Sequence, residues 1–396
     1  MRDEQQRWLL VLNVVFNLVM GFILPVNTIF ITKNLHESLN VAGFVLMTYS
    51  LIMMVGNALG GYLFDHYSHR GTLISGFIIS IIGFLLLSFF HGWPIYAVLL
   101  ALIGFGMGIA YTAINSYTAV VAEQHREQST SIFNIMYLSA NVGIALGTMS
   151  VSYIFSRSIF WTFFLPAVFF LTCLLIVAFR GHVLDGQTEK LNGSSDHAQT
   201  THQKSYVELI GQKRLMVNLV LICSAVFIIW VGYSQWDSNM SVYMLDNHFS
   251  MHDYSRLFTI NAASLIIVQP IMNHFANKIF SKLKYQIILG LFIMGSSFMI
   301  LPFAQSYWQY IVSMITLTVG ESITFPVIPA ILNKFATERN RGRYQSFYVI
   351  FGSLGRAFGP FIGSLVVTDS SFKTLFYLIV IAIMLTDIGM TFVKEL

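Results

Sequence analysis

Gly60 to Leu73 read GGYLFDHYSHRGTL, a short polar turn carrying Asp65 and Arg70 between two long apolar runs, 40 to 64 before it and 72 to 91 after it. Each run can cross a bilayer, because about 30 Å of hydrocarbon takes roughly 20 residues of helix rising about 1.5 Å each. The small residues opening the turn let two helices approach closely, and its charged groups can pair with each other or with a neighbouring helix end. The turn therefore reads as a link joining two membrane-spanning helices.

Working outward, ten more such runs appear: 8 to 32, 94 to 121, 130 to 155, 159 to 180, 215 to 243, 255 to 277, 285 to 303, 308 to 335, 344 to 367 and 374 to 393. With 56% hydrophobic and 10% charged residues and a mean hydropathy of +0.69, the chain is far from the roughly 25% charge of a soluble domain. Lipid offers the backbone no hydrogen-bond partners, and these runs far exceed the segments of about ten alternating residues that build a membrane β-barrel. The expected fold class is all-α integral membrane, with twelve transmembrane helices. The opening MRDEQQRW is too charged for a signal-peptide core, so the first helix is expected to remain as an anchor.

With both termini inside, 17 of the 22 lysines and arginines fall in inside segments, Lys33, Arg157, Arg256 and Lys373 fall outside, and Arg356 lies within a span. That asymmetry follows the positive-inside rule and predicts a multi-pass protein of a bacterial inner (cell) membrane with cytoplasmic termini. The net charge of +4 then reflects topology and gives no reason to invoke nucleic acid. Cys173 and Cys223 fall inside spans as small hydrophobes and form neither a disulfide framework nor a metal site.

One long polar stretch, Gly181 to Ser205, interrupts the pattern and reads as a flexible cytoplasmic linker. The expected domains are a six-helix bundle over 1–180, a linker over 181–211 and a second bundle over 212–396. The halves repeat. A displacement of 214 residues lays Arg70 on Lys284, Gly76 on Gly290, Tyr96 on Tyr310, Gly106 on Gly320 and Ala122 on Ala336. A two-residue contraction then lays Gly143 on Gly355 and Gly147 on Gly359. Two pseudo-symmetric bundles are the layout of a transporter whose halves rock about a central site.

The stretch Gly60 to Gly71 resembles the loop signature between the second and third helices of the major facilitator superfamily. It departs from the usual form at His66, where a basic residue is common, at Ser68 in place of glycine and at His69 in place of arginine. The resemblance implies that superfamily's fold and a conformational latch on the cytoplasmic side built from Asp65, Arg70 and Gly61. Span four carries GFGMG, Gly104 to Gly108, with Leu100 where drug and proton antiporters often place an arginine; span five has Gly143 and Gly147 but no following proline. A Gly-Pro pattern reappears in span eleven as GSLGRAFGPFIGS, Gly352 to Ser364. Such small residues read first as helix-packing seams.

Four ionisable residues fall well inside spans: Asp237, Glu321, Arg356 and Asp387. A charge at mid-bilayer costs at least about 3 kcal/mol, so such groups face a cavity, pair or become neutral. Glu321, in LTVGESITFPVIPA, has 13 residues before it and 14 after it in its span. It either pairs structurally with Arg356 in the next span or carries a proton. Its repeat partner is Met107, so the fold needs no acid there, and Pro326 and Pro329 loosen the helix beyond it. Asp237, in GYSQWDSN, lies among aromatic residues that suit a wet cavity, or alternatively caps the helix at the outer interface. Asp387, near the cytoplasmic end of the last span, reads as structural.

GESITFP together with WDSN resembles the proton-coupled multidrug antiporters of the LmrP and MdtH type, although span five here lacks the acid that relatives of LmrP hold. The resemblance implies a proton-coupled secondary transporter exporting amphipathic, lipophilic compounds, cations among them, by alternating access. Glu321 and Asp237 would couple protons. Asn13, Phe16, Asn17, Asn27, Tyr111, Asn115, Tyr233, Gln235, Trp236 and Phe325 would line the substrate cavity. The expected partners are a small-molecule substrate, protons and the bilayer, with no nucleic acid, no cofactor and a monomeric chain. The rivals are a dedicated transporter of one metabolite (a sugar, amino acid or peptide) and a non-transporting sensor. No nucleophile and base at workable spacing suggest an enzyme, no Walker loop suggests ATP, and His248 and His252 lack the glutamate of a zincin.

Overall fold

The computed structural model describes residues 2–124, 129–185, 206–279, 282–335 and 341–393. Its helices are α1 (Arg2–Ile29), α2 (Leu39–His66), α3 (His69–Phe89), α4 (Ile95–Gln124), α5 (Ser129–Phe155), α6 (Ile159–Asp185), α7 (Tyr206–Asp237), α8 (Asn239–Asp246), α9 (Met251–Ile279), α10 (Leu283–Ile300), α11 (Tyr307–Phe335), α12 (Arg341–Asp369) and α13 (Phe372–Thr391). Twelve of these are long and apolar enough to cross a membrane. Their bounds follow the sequence reading to within a few residues, with one exception. The seventh span, expected to continue to 243, ends at Asp237, and α8 starts after a break at Ser238. Of the expected linker, 186–205 lies outside the described residues.

Serines in the turns start several helices, each accepting a backbone N–H that the first turn leaves without a partner. Ser38 accepts from Val41 at the head of α2, and Ser371 from Thr374 at the head of α13. Ser68 accepts from Gly71 N at 3.0 Å and so caps α3. The serine that stands in place of the family's glycine thus has a job of its own.

The chain divides into two compact units. Unit 1 comprises Met1–Ser195 with Ser250–Ala262, and unit 2 comprises Asp196–Phe249 with Ala263–Leu396.

In unit 1, α1 packs on α5, and α4 packs on both α2 and α3, while α6 lies along α3. Phe16, Phe77 and Phe84 surround Phe170 with ring centroids 5.4 to 5.9 Å apart. The start of α9 belongs to this unit. Ser250 and Asp253 exchange hydrogen bonds across its first turn, a capping box. His252 holds it to α5, with Nδ1 3.0 Å from Ser152 Oγ and its ring 4.2 Å from that of Tyr153. The Ser152 hydroxyl donates to Met149 O, which leaves the His252 nitrogen as donor.

Unit 2 repeats this plan, with α7 on α12, α10 on α11 and α13 beside α10. A Cβ on Gly106 would meet Ser80 and Gly76 O; one on Gly320 would meet Met294 and Gly290 O. All three positions differ by 214, so the sequence offset is an offset in packing. Tyr96 and Tyr310 are both fully buried. Phe30 lies 4.8 Å from the first and Tyr243 6.2 Å from the second.

The repeat also explains the basic pair Arg70 and Lys284. Arg70 donates to Ala178 O near the end of α6. Lys284 Nζ lies 3.1 Å from Val393 O and 3.3 Å from Thr391 O at the end of α13. Lys284 thus satisfies carbonyls at the C-terminal end of α13, where the helix leaves them unpaired and its dipole favours positive charge, whereas Arg70 adds a second donor to a carbonyl inside α6 and ties α3 to it. Arg70→Ala and Lys284→Ala should each lower unfolding free energy by about 1 kcal/mol. Measured by denaturant titration of the solubilised protein, the two losses should add, because the residues share no partner.

Candidate functional site

Trp230, Tyr233 and Asp237 recur on α7 at i, i+3 and i+7, so they share one stripe of the helix. The adjoining stripe is occupied by α12. A Cβ on Gly355 would meet Phe227 O and Trp230 Cβ, and one on Gly359 would meet Ser234 and Val231. Gln235 Nε2 donates to Gly359 O at 2.8 Å, and Asn239 Nδ2 reaches both Gln235 Oε1 and Pro360 O. These bonds hold α7 and α8 against α12 and fix where the Trp230 stripe faces.

The break at Ser238 has a local cause. The Ser238 hydroxyl takes Ser234 O at 2.7 Å, and its backbone N–H falls back to Gln235 O at 3.3 Å. The hydroxyl bond to the i−4 carbonyl is one that Ser80 and Thr118 also make inside unbroken helices and at most bends the chain; the interruption lies in the backbone N–H slipping to the i−3 carbonyl. Asp237 thereby becomes the last residue of α7, partly exposed and beside the interruption.

Two neighbouring helices complete the site. From α11, Phe325 stacks on Trp230 with centroids 5.0 Å apart and also lies 6.1 Å from Tyr233. From α12, the Arg356 guanidinium sits 3.6 Å over the Trp230 ring and acts electrostatically on Asp237. Glu321 precedes Phe325 by four residues and so shares its face of α11. It is 3% exposed and engaged with neighbouring groups. The adjoining residues Gly320 and Thr324 face α10. Unit 2 therefore gathers an aromatic shelf, a cation and Asp237, with Glu321 one turn along from the shelf.

Other residues singled out from sequence are placed differently. Gln235 and Trp236 are buried inside unit 2. In unit 1, Asn13 donates to Met136 O and Ser139 Oγ, Asn17 donates to Asn13, and Asn27 accepts from Tyr96 at 2.6 Å. These three amides tie the unit together. Phe16 is also buried, with Tyr111 stacked on it at 5.7 Å, and Tyr111 and Asn115 form an exposed pair one turn apart on α4. At the turn after α2, Asp65 is exposed and Gly61 has ordinary clearance from Thr112. Asp387 on α13 has a buried Oδ1 with no hydrogen bond among the described residues. Trp230, the hub of the aromatic shelf, was not singled out as a site residue from sequence. Its spacing from Tyr233 and Asp237 was the available signal.

Comparison with known proteins agrees with this architecture. The family model for the Major Facilitator Superfamily matches residues 9–244 and 238–395. The chain is 31% identical over 375 residues to an uncharacterised MFS-type transporter, YttB, of Bacillus subtilis, covering 95% of this chain and 91% of that one. It is 22% identical to Multidrug resistance protein 2 of the same organism, covering 87% and 84%. Among solved structures, a POT family transporter in complex with 5-aminolevulinic acid superimposes with a TM-score of 0.79 at 14% identity, over 98% of this chain and 96% of that one. A nucleoside transporter, NupG, does so with a TM-score of 0.75 at 11% identity, over 98% of this chain and 100% of that one. Twelve spanning helices, a repeat expressed in packing and a family match along nearly the whole chain make this protein a multi-pass transporter of the Major Facilitator Superfamily.

Proposed function

We propose that the protein is a proton-coupled exporter of amphipathic organic compounds, of the LmrP and MdtH kind, working by alternating access with both termini in the cytoplasm. The observation that carries this reading is the shelf of Trp230, Tyr233 and Phe325 set beside Asp237, with Glu321 on the same face as Phe325. Aromatic rings supply contact area that tolerates many substrate shapes, and ionisable groups at membrane depth serve as proton relays in transporters. The 22% identity to Multidrug resistance protein 2 supports the same assignment. A dedicated metabolite site would call for several convergent amides, and Asn13, Asn17 and Asn27 are instead spent inside unit 1.

In this scheme Glu321 and Asp237 exchange protons as substrate is bound and released. Asp65 and Arg70, with Gly61 leaving room at the turn, form a cytoplasmic latch. Efflux of a panel of unrelated amphipathic compounds from proteoliposomes under an imposed pH gradient tests the breadth of the site. Several compounds should compete with one another, whereas transport of a single compound with no competition would favour the dedicated transporter. Asp237→Asn should lower gradient-driven flux by about tenfold or more, equivalent to about 1.4 kcal/mol. Unchanged flux and unchanged pH dependence would assign Asp237 to structure.

A further inference from the structure

We infer that the Trp230 shelf binds amphipathic organic anions, with a carboxylate or phosphate head on Arg356 and a planar apolar body against Phe325 and Tyr233. This rests on the transport reading above and names its substrate class; the family resemblance implied amphipathic compounds with cations among them.

Arg356 is the eleventh residue of a 24-residue span, about 15 Å and 20 Å along the helix from its two ends. A charge at that depth persists where it meets water, a counter-charge or a ligand. Arg356 is exposed, and among the described residues no carboxylate lies within ion-pair distance of it. Among the described residues its ring contact is over Trp230, 3.6 Å from the centroid. A guanidinium seated over an aromatic face is restrained by it and keeps N–H donors at its edge, in a planar fork that can grip two oxygens at once. Gly352 and Gly355 leave the space beside the indole that lets it lie under the guanidinium, since a Cβ at either would press on Trp230.

If Arg356 served only to neutralise Asp237, the two would be in contact. Asp237 instead acts on it from beyond pairing distance, so the acid tempers the cation without occupying it. A cationic ligand on the shelf would meet the guanidinium directly, whereas an anionic one would find a positioned partner beside a flat apolar wall. Asp237 then competes electrostatically with a bound anion for Arg356. Removing its charge should strengthen anion binding, the opposite of what a cation site would show.

The test is equilibrium binding of radiolabelled naphthylacetate, naphthylacetamide and naphthylethylamine to the purified full chain in lipid nanodiscs. These probes share one ring system and carry negative, zero and positive charge. Naphthylacetate should bind tightest. Arg356→Gln should weaken it by about tenfold or more while leaving the amide within about twofold. Arg356→Lys should retain part of the preference for the anion, and Asp237→Asn should tighten naphthylacetate alone. Equal losses of amide and acetate in both Arg356 variants would overturn the assignment, as would tightest binding of the amine with loss in Asp237→Asn. Preference for amine or amide would leave the transport reading standing; failure of all three to bind would contradict both.

Discussion

Gly147→Leu should leave a chain that does not fold. A Cβ at Gly147 would run into Leu18 O and lie 2.9 Å from Gly21 Cα and 3.0 Å from Leu18 C. All three obstacles are backbone atoms of α1, so no side chain can swing aside, and α1 and α5 would have to separate along their length. Helix association in lipid depends on such close packing, because no hydrophobic driving force acts between helices there. Ordinary overpacking costs about 1 to 3 kcal/mol, and a clash with rigid backbone should exceed that. The expected result is loss of monodisperse protein on size exclusion after solubilisation. Gly92→Ala, where a Cβ meets nothing within 4 Å, should leave the yield unchanged. The repeat supplies a graded comparison. At Gly359 the first obstacle is the Ser234 hydroxyl, and Val231 O follows at 3.0 Å. Gly359→Ala should therefore be milder than Gly147→Ala.

Glu321→Gln should abolish uphill transport while sparing the fold. The substitution keeps the volume of a side chain that is 3% exposed and changes only its ability to carry a charge and a proton. If Glu321 couples, the variant binds substrate and exchanges it down its gradient but fails to accumulate it when a pH gradient is imposed, a loss of about tenfold or more. If Glu321 is a structural group, stability and binding fall together and coupling per transport event stays intact. Measuring downhill exchange beside uphill flux separates the two.

Much of this molecule could be read before its structure. Lipid forces long apolar helices, so the twelve spans announce themselves by length, and the constant offset carried Gly76 with Gly106 onto Gly290 with Gly320. What escaped the sequence was direction. Asn13, Asn17 and Asn27 look like cavity amides in a helix of apolar residues, and only packing shows that they reach Met136, Ser139 and Tyr96. The break at Ser238 was hidden because serine fits a helix as readily as it interrupts one. By sequence Arg356 reads as a partner for Glu321, since both are mid-span in adjacent helices. The structure lays it instead over Trp230, a contact that depends on how α7 and α12 mesh through Gly352 and Gly355.

The central claim, that substrate movement is tied to proton movement at Glu321, is tested most directly by following protons. Proteoliposomes with a pH-sensitive dye in the lumen, holding a pH gradient, receive an amphipathic substrate. With the wild-type chain, substrate should drive protons across in the opposite direction, and with Glu321→Gln the dye signal should stay flat. Substrate flux with no proton movement, or equal proton movement in the variant, would contradict the account.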